Sequence, residues 1–219
     1  MANNDHVKSI IASHYDRNDP LGWFETLYSD AKGATDRIPW ADQKPNTHLV
    51  AWLNREKISG GGRSAIVVGC GLGDDAEELA RRGFRVTGFD ISSSAIGWAQ
   101  QRFPESSVEY VAADLFKLPQ RWQGTFDFVF EAYTIQALPR SLRDAAIANV
   151  ASLVRPSGGQ LLVICRGRED NEDEGTLPWP LSHAEIGHFA LHGLRPLSFE
   201  NFFDDREPPV RRFRALFQK

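Results

Sequence analysis

Glycines and acids gather where the apolar runs of this sequence stop. In Val67-Val68-Gly69-Cys70-Gly71-Leu72-Gly73-Asp74-Asp75, three glycines alternate after a β-branched run and two carboxylates follow directly. Asp90 closes the run FRVTGFD, Asp114 closes VEYVAAD, and Glu131 stands near the end of FDFVFEA. Bare backbone at a strand-to-helix turn lets a ligand approach the main chain. Carboxylates on the same rim can accept from hydroxyls and amines or face a cation.

The pattern weighs against a dinucleotide. Read from Gly69, the last glycine of a G-x-G-x-x-G fingerprint falls on Asp74; read from Gly71 it falls on Ala76, which fits, but Asp74 and Asp75 then crowd the phosphate. Two acids in a first helical turn suit the helix dipole and repel an anion. A phosphate-free, positively charged nucleoside fits better, and S-adenosylmethionine has that chemistry. Gly69, Cys70, Gly71, Gly73 and Asp75 would then line its turn, and Asp90, twenty-one residues after Gly69, would reach ribose hydroxyls. Asp114 would accept from the adenine amine, with Ile91 and Leu115 sandwiching the ring, and Glu131 would face the cation. Plainer readings stand beside these: Asp74 and Asp75 as helix-start acids, Asp114 as a loop cap, Glu131 as a solvated strand end.

The elements that position these residues follow from periodicity. Residues 46–57 are amphipathic with helical spacing, SGGGR is a loop, and SAIVVG is a strand buried on both faces. Helices over 74–82, 92–102 and 141–154 alternate with strands FRVTGFD, VEYVAAD, FDFVFEA and GGQLLVIC. Such alternation predicts right-handed crossovers and an open parallel sheet, with ligands beyond the strands' carboxyl ends. The last third breaks it: Ser182 caps a helix to His192, then LRPLSFENFF and PVRRFRALFQ pair as a hairpin.

Length and composition narrow the class. A chain of 219 residues with 42% hydrophobic and 25% charged residues suits one globular domain. A net charge of −4 argues against nucleic acid as the main partner. The polar start MANNDHVKSI does not read as a leader, and no apolar run reaches membrane-spanning length. Cys70 and Cys165, the two cysteines, are expected as reduced thiols in a cytoplasmic protein.

With these features in order, residues 64–219 resemble class I S-adenosylmethionine-dependent methyltransferases. The resemblance implies a Rossmann-like α/β fold: a seven-stranded mixed sheet of order 3-2-1-4-5-7-6, strand 7 antiparallel, with helices on both faces. Most such enzymes carry an acid two residues before the first glycine, where this chain has Val67. The thiopurine, thiol and halide methyltransferase group is similar in lacking it, and GWFETLYSDAKGATDRIPWADQKPN resembles that group's opening. On that likeness residues 1–60 form a helical cap, Trp23 and Trp40 cover the cofactor, and Tyr133 faces the acceptor. The implied activity is methyl transfer to a small molecule, a thiol or other soft nucleophile, by a monomer or homodimer without membrane or nucleic-acid partners. An RNA or protein methyltransferase, or a non-catalytic cofactor-binding module, is the alternative.

Other signals are weaker. His188 and His192 stand four apart without a third metal ligand, so no metal is expected. Arg211, Arg212 and Arg214 alternate with Phe213, Ala215 and Phe217, as in a strand with one polar face. Glu169 to Glu174 reads as a solvated loop, and Arg166 and Arg168 before it could meet an acceptor or cofactor carboxylate. His14 and His48 lack an obvious partner, so no general base is apparent, which favours an acceptor that is already nucleophilic.

Overall fold

A computed structural model describes residues 2–219, so residue 1 of the segment expected as a cap lies outside the described residues. Eight strands form one sheet of order β3-β2-β1-β4-β5-β8-β7, with a short β6 alongside β5. Strands β1 (Ser64–Val68), β2 (Arg85–Asp90), β3 (Glu109–Ala112), β4 (Phe128–Ala132) and β5 (Gln160–Arg168) are parallel. β8 (Arg211–Gln218) pairs antiparallel with both β5 and β7 (Arg195–Phe203). The two-residue β6 (Leu181–Ser182) only renumbers the final hairpin, so this is the expected order. Ser182 closes a capping box with Glu185, but the α-helix it starts, α7 (His183–Gly187), tightens to 3₁₀ over His188–His192.

Helices cover both faces, as two-sided burial of the parallel strands requires. Leu161, Val163 and Cys165 of β5 enter one core with α6 (Arg140–Leu153), which supplies Ala146, Ile147 and Val150. Leu162 and Ile164 enter the other, with α3 (Thr47–Arg55) and α4 (Asp74–Arg81). The alternation of inward residues thus sorts a strand's side chains to opposite sides of the sheet. α5 (Ser93–Arg102) follows β2, capped by the Ser92 hydroxyl.

The N-terminal segment is helical, as expected: α1 (Ala2–Asp16), α2 (Gly22–Ala31), a 3₁₀ turn and α3. It packs through its own core, in which Val7, Ile10, Trp23, Leu27, Tyr28 and Ile38 close over Leu72 and Ala95 of the sheet domain. Both cysteines are buried free thiols. Among the described residues no helix is long and apolar enough to cross a membrane.

One surface expectation is overturned. The arginines of β8 do not form a solvated polar face, because Arg212 and Arg214 are buried. Asp204 and Glu200 of the neighbouring hairpin arm neutralise them, at 2.7 Å and 2.6 Å. The alternation predicted the strand; the burial depends on α3 lying across it.

Candidate active site

The glycine turn follows β1 at the carboxyl end of the sheet, under the cap. Gly69, Gly71 and Gly73 all have positive φ. At Gly69 (φ 60°) a Cβ would strike the Thr134 hydroxyl, which donates to the Val68 carbonyl. At Gly71 (φ 51°) it would crowd the Tyr28 hydroxyl at 2.9 Å. The turn therefore needs glycine for close approach as well as for backbone freedom. Cys70 is buried against the strand carrying Gly88, where the low-dielectric setting pushes its thiol pKa well up.

The acids at the turn answer to partners that the sequence did not reveal. Asp74 pairs bidentately with Arg102 from the end of α5, at 2.7 and 2.8 Å. Asp75 accepts the Asn46 main-chain N–H at 2.7 Å, tying α4 to the start of α3, and burial raises its pKa to about 7. Both are helix-start acids with structural ties, which is the plainer reading. Asp90 is buried and accepts Gly71 N–H and Ser92 N–H, each at 2.9 Å, so it fixes the glycine turn against the start of α5. Burial raises its pKa too. Asp114 caps the turn after β3 by accepting Phe116 N–H at 2.8 Å, with Lys117 at 3.8 Å. Leu115 is drawn into the core beside Phe89 and Trp122, while Ile91 stays partly exposed on the rim.

Glu131 is not a solvated strand end: it is wholly buried. Oε1 accepts Thr134 N–H at 2.9 Å and Ile135 N–H at 3.0 Å, whereas Oε2 has no partner among the described residues. Burial lifts its pKa to about 7, against the pull of those two N–H groups. Its register partner is Val68, the residue before Gly69. Val67, the position that lacks the usual acid, is opposite Phe130 instead, so Glu131 lies on the other face of the sheet from it. Tyr133, two residues on, holds φ 65°, a costly conformation for an aromatic residue. It donates its N–H to the Ile164 carbonyl, and Arg212 lies 5.4 Å from its ring centre.

The cap brings aromatics to the turn. Trp23 is buried, stacks on Phe24 at 3.8 Å, and leaves its indole N–H unpartnered. Trp40 is 43% exposed, meets Trp23 edge-on and donates to the Tyr28 hydroxyl at 2.7 Å. Glu25 of α2 accepts from Ser92 Oγ and Ser94 N–H, locking the cap to the start of α5. Sequence reading missed Glu25, Tyr28 and Thr134, because their roles arise only when the cap folds over and the loop after β4 turns back.

The histidines also have partners. His14 bridges Asp19 and Thr26, each at 2.9 Å, joining α1 to α2. His48 lies edge-on to Phe202 at 5.2 Å, and burial together with Arg212 lowers its pKa. His188 pairs with Asp144, and among the described residues no cluster of three or more metal-ligating side chains occurs. In the acidic loop, Glu174 meets Arg140 and Arg143 and Glu169 meets Arg211, so these acids anchor the loop rather than merely solvating it.

Comparison with known proteins agrees with this layout. Residues 65–158, less than half of the chain, match the methyltransferase domain family. The chain is 33% identical over 126 residues to a ubiquinone biosynthesis O-methyltransferase of Burkholderia orbicola, covering 55% of this chain and 53% of that one. It is 32% identical over 120 residues to the namesake from Dechloromonas aromatica, covering 54% and 50%. The chain thus spans about half the length of the curated relatives it matches. Among solved structures, NodS, an N-methyltransferase of Bradyrhizobium japonicum with bound S-adenosylhomocysteine, superposes with TM-score 0.68 and 22% identity over 89% of this chain and 98% of that one. The 1,6-didemethyltoxoflavin N1-methyltransferase of Burkholderia thailandensis gives TM-score 0.69 and 16% identity over 88% and 87%. These likenesses establish the class I S-adenosylmethionine-dependent methyltransferase fold. The similarity they bring out is to O- and N-methyltransferases rather than to the thiol branch expected from the N-terminal segment.

Proposed function

We propose that this protein transfers a methyl group from S-adenosylmethionine to a small-molecule acceptor. The observation that carries the reading is the glycine turn held on buried Asp90 beside Glu131, whose second carboxylate oxygen is buried without a partner. An unpaired buried acceptor costs stability unless a ligand satisfies it. A cationic nucleoside suits the donor set: Glu131 and the unpartnered Trp23 indole for its polar ends, Asp90 and Asp114 for sugar and base, and the aromatic cap for its apolar surface. When bound, S-adenosylmethionine supplies a methyl group on a sulfonium with an activated leaving group. The chain's own part is then to hold that group, aim the acceptor and exclude water. Residues 2–60 serve as the cap that excludes water, and Tyr133 lines the acceptor side.

The finer reading concerns the acceptor atom. A thiol needs little beyond positioning and remains the expectation from the N-terminal resemblance. A second reading rests on His48, which shares the rim with Tyr133 and Arg212; burial and Arg212 lower its pKa, which favours the neutral form a proton acceptor needs. It would serve an O–H or N–H acceptor, in keeping with the relatives' names. Calorimetric titration with S-adenosylhomocysteine tests the cofactor assignment, and saturable micromolar binding lost in Asp90→Ala is expected. Methyl transfer to matched thiols and phenols, in the wild type and His48→Gln, then separates the acceptors. Loss confined to the phenols marks His48 as the base.

A further inference from the structure

Across the sheet from the glycine turn, β5 and β8 bring two arginines face to face. Arg166 and Arg212 are directly opposed in the antiparallel register, where like charges destabilise a sheet. Both belong to the α3 side of the sheet, since Arg166 follows Leu162 and Ile164 by twos and Arg212 precedes Leu216 by twos. Arg206, in the loop before β8, adds a third positive charge against Arg166. One carboxylate answers them: Asp204 lies 2.7 Å from Arg212 and 3.5 Å from Arg206.

Arg166 feels Asp204 and Tyr133 only beyond ion-pair distance, and burial together with Arg212 and Arg206 outweighs them. Its main-chain N–H donates to Gln136, but its half-buried guanidinium makes no hydrogen bond or ion pair with any described residue. Every other described arginine that is not exposed is paired. Arg168, two residues along the same strand, binds Glu185 at 2.7 Å and the Pro180 carbonyl; Arg214 binds Glu200; Arg143 binds Glu185 and Glu174. The exception stands at the carboxyl end of the sheet, where open α/β sheets bind ligands. The ring of Tyr133, at the end of β4, is on the same rim, and the rings of His48 and Phe202 flank Arg212 and Arg214. In a chain of net charge −4, this positive excess is a local construction.

We infer that Arg166 anchors a carboxylate of the methyl acceptor, so that the acceptor is an organic acid with a flat apolar body. The planar guanidinium fork matches a carboxylate bidentately, and the neighbouring aromatic faces suit an unsaturated body. A dianionic phosphate would meet Asp204 at close quarters, which favours the single charge. The acceptor, rather than the cofactor, is the partner because β5 lies beyond β4 from the glycine turn, about 10 Å across two strand spacings. This inference rests on the methyltransferase reading only for the word acceptor, because Arg166 can be tested as an anion site by binding alone.

The test titrates benzoate, benzamide and phenyl phosphate calorimetrically into the full-length protein, with and without saturating S-adenosylhomocysteine. Benzoate is expected to bind about tenfold or more tightly than benzamide, as loss of a charge-assisted pair implies. Arg166→Gln should erase that preference, Arg166→Lys should retain part of it, and S-adenosylhomocysteine affinity should stay within about twofold in both. Because the substitution removes a cation that burial and two arginines disfavour, Arg166→Gln should melt at the same temperature or higher; a lower melting point would mark a structural role and overturn the proposal. Equal binding of benzoate and benzamide, no benzoate binding, or preference for phenyl phosphate would also overturn it. A fall in S-adenosylhomocysteine affinity would reassign Arg166 to the cofactor. If S-adenosylhomocysteine fails to bind the wild type, the methyltransferase reading fails instead, and the titration without it still decides the anion site.

Discussion

Around the glycine turn, Asp75, Asp90, Asp114 and Glu131 each accept a main-chain N–H through a carboxylate oxygen, whereas on the β5–β8 rim the Arg166 guanidinium has no hydrogen bond or ion pair to any described residue and stands beside two other arginines. The first region is built from charges that shape loops: every acid there fixes a turn before any ligand arrives. Among the described residues, Glu131 Oε2 is the buried carboxylate oxygen left without a partner. The second region holds an arginine that no described residue contacts in an ion pair. On the proposed reading, ligand geometry would be set on one side of the sheet's centre and ligand charge on the other. Both departures from full pairing destabilise the protein alone, as binding sites commonly do.

Breaking the first region should have the largest effect. Asp90→Ala leaves two buried N–H groups without acceptors and frees the glycine turn, so S-adenosylhomocysteine binding should fall at least a hundredfold, as calorimetry would register. Unchanged affinity would mean that the turn is shaped by its glycines alone. Glu131→Gln comes next, because it keeps the oxygen that caps the turn after β4 and removes the charge. Affinity for S-adenosylmethionine should drop about tenfold. In the wild type a cation beside Glu131 would lower a pKa now about 7, so binding should release a proton between about pH 6 and 8. Titrations in buffers of different ionisation enthalpy would detect it, and Glu131→Gln should abolish it.

Asp75 sharpens the contrast through stability rather than binding. Its folded pKa of about 7 stands above the ordinary 3.8, so the folded state holds a proton that the unfolded state releases. Its contribution is therefore full below about pH 4 and is lost as pH rises toward 7. Asp75→Asn keeps an acceptor for Asn46 N–H and cannot ionise. It should match the wild type at about pH 3 and exceed it at pH 8 by about 1 kcal/mol or more in denaturant titrations. Trp40→Ala should have the smallest effect: the side chain is partly exposed and loses one hydrogen bond to Tyr28, so stability should fall by less than about 1 kcal/mol. A several-fold rise in the Kd for S-adenosylhomocysteine would place it over the cofactor, and wild-type binding would remove it.

Much of this protein follows from local pattern. The apolar runs, the glycine spacing and the break in alternation after Cys165 specify the strands, their parallel order and the closing hairpin, because burial of both sheet faces demands such runs and only glycine tolerates the turn after β1. The helix caps at Asn46, Ser92 and Ser182 are local too, each side chain accepting an N–H two or three residues ahead. The partners of the charged residues are not local. Arg102 reaches Asp74, Asn46 reaches Asp75, Glu25 reaches Ser92, and Glu131 comes to stand opposite Val68, all across long sequence separations. A charge's role depends on what lies within a few ångströms of it and on how much water remains there. Those quantities exist only after the cap, the sheet and the hairpin have packed, and so tertiary structure alone separated the satisfied Arg168 from the unsatisfied Arg166.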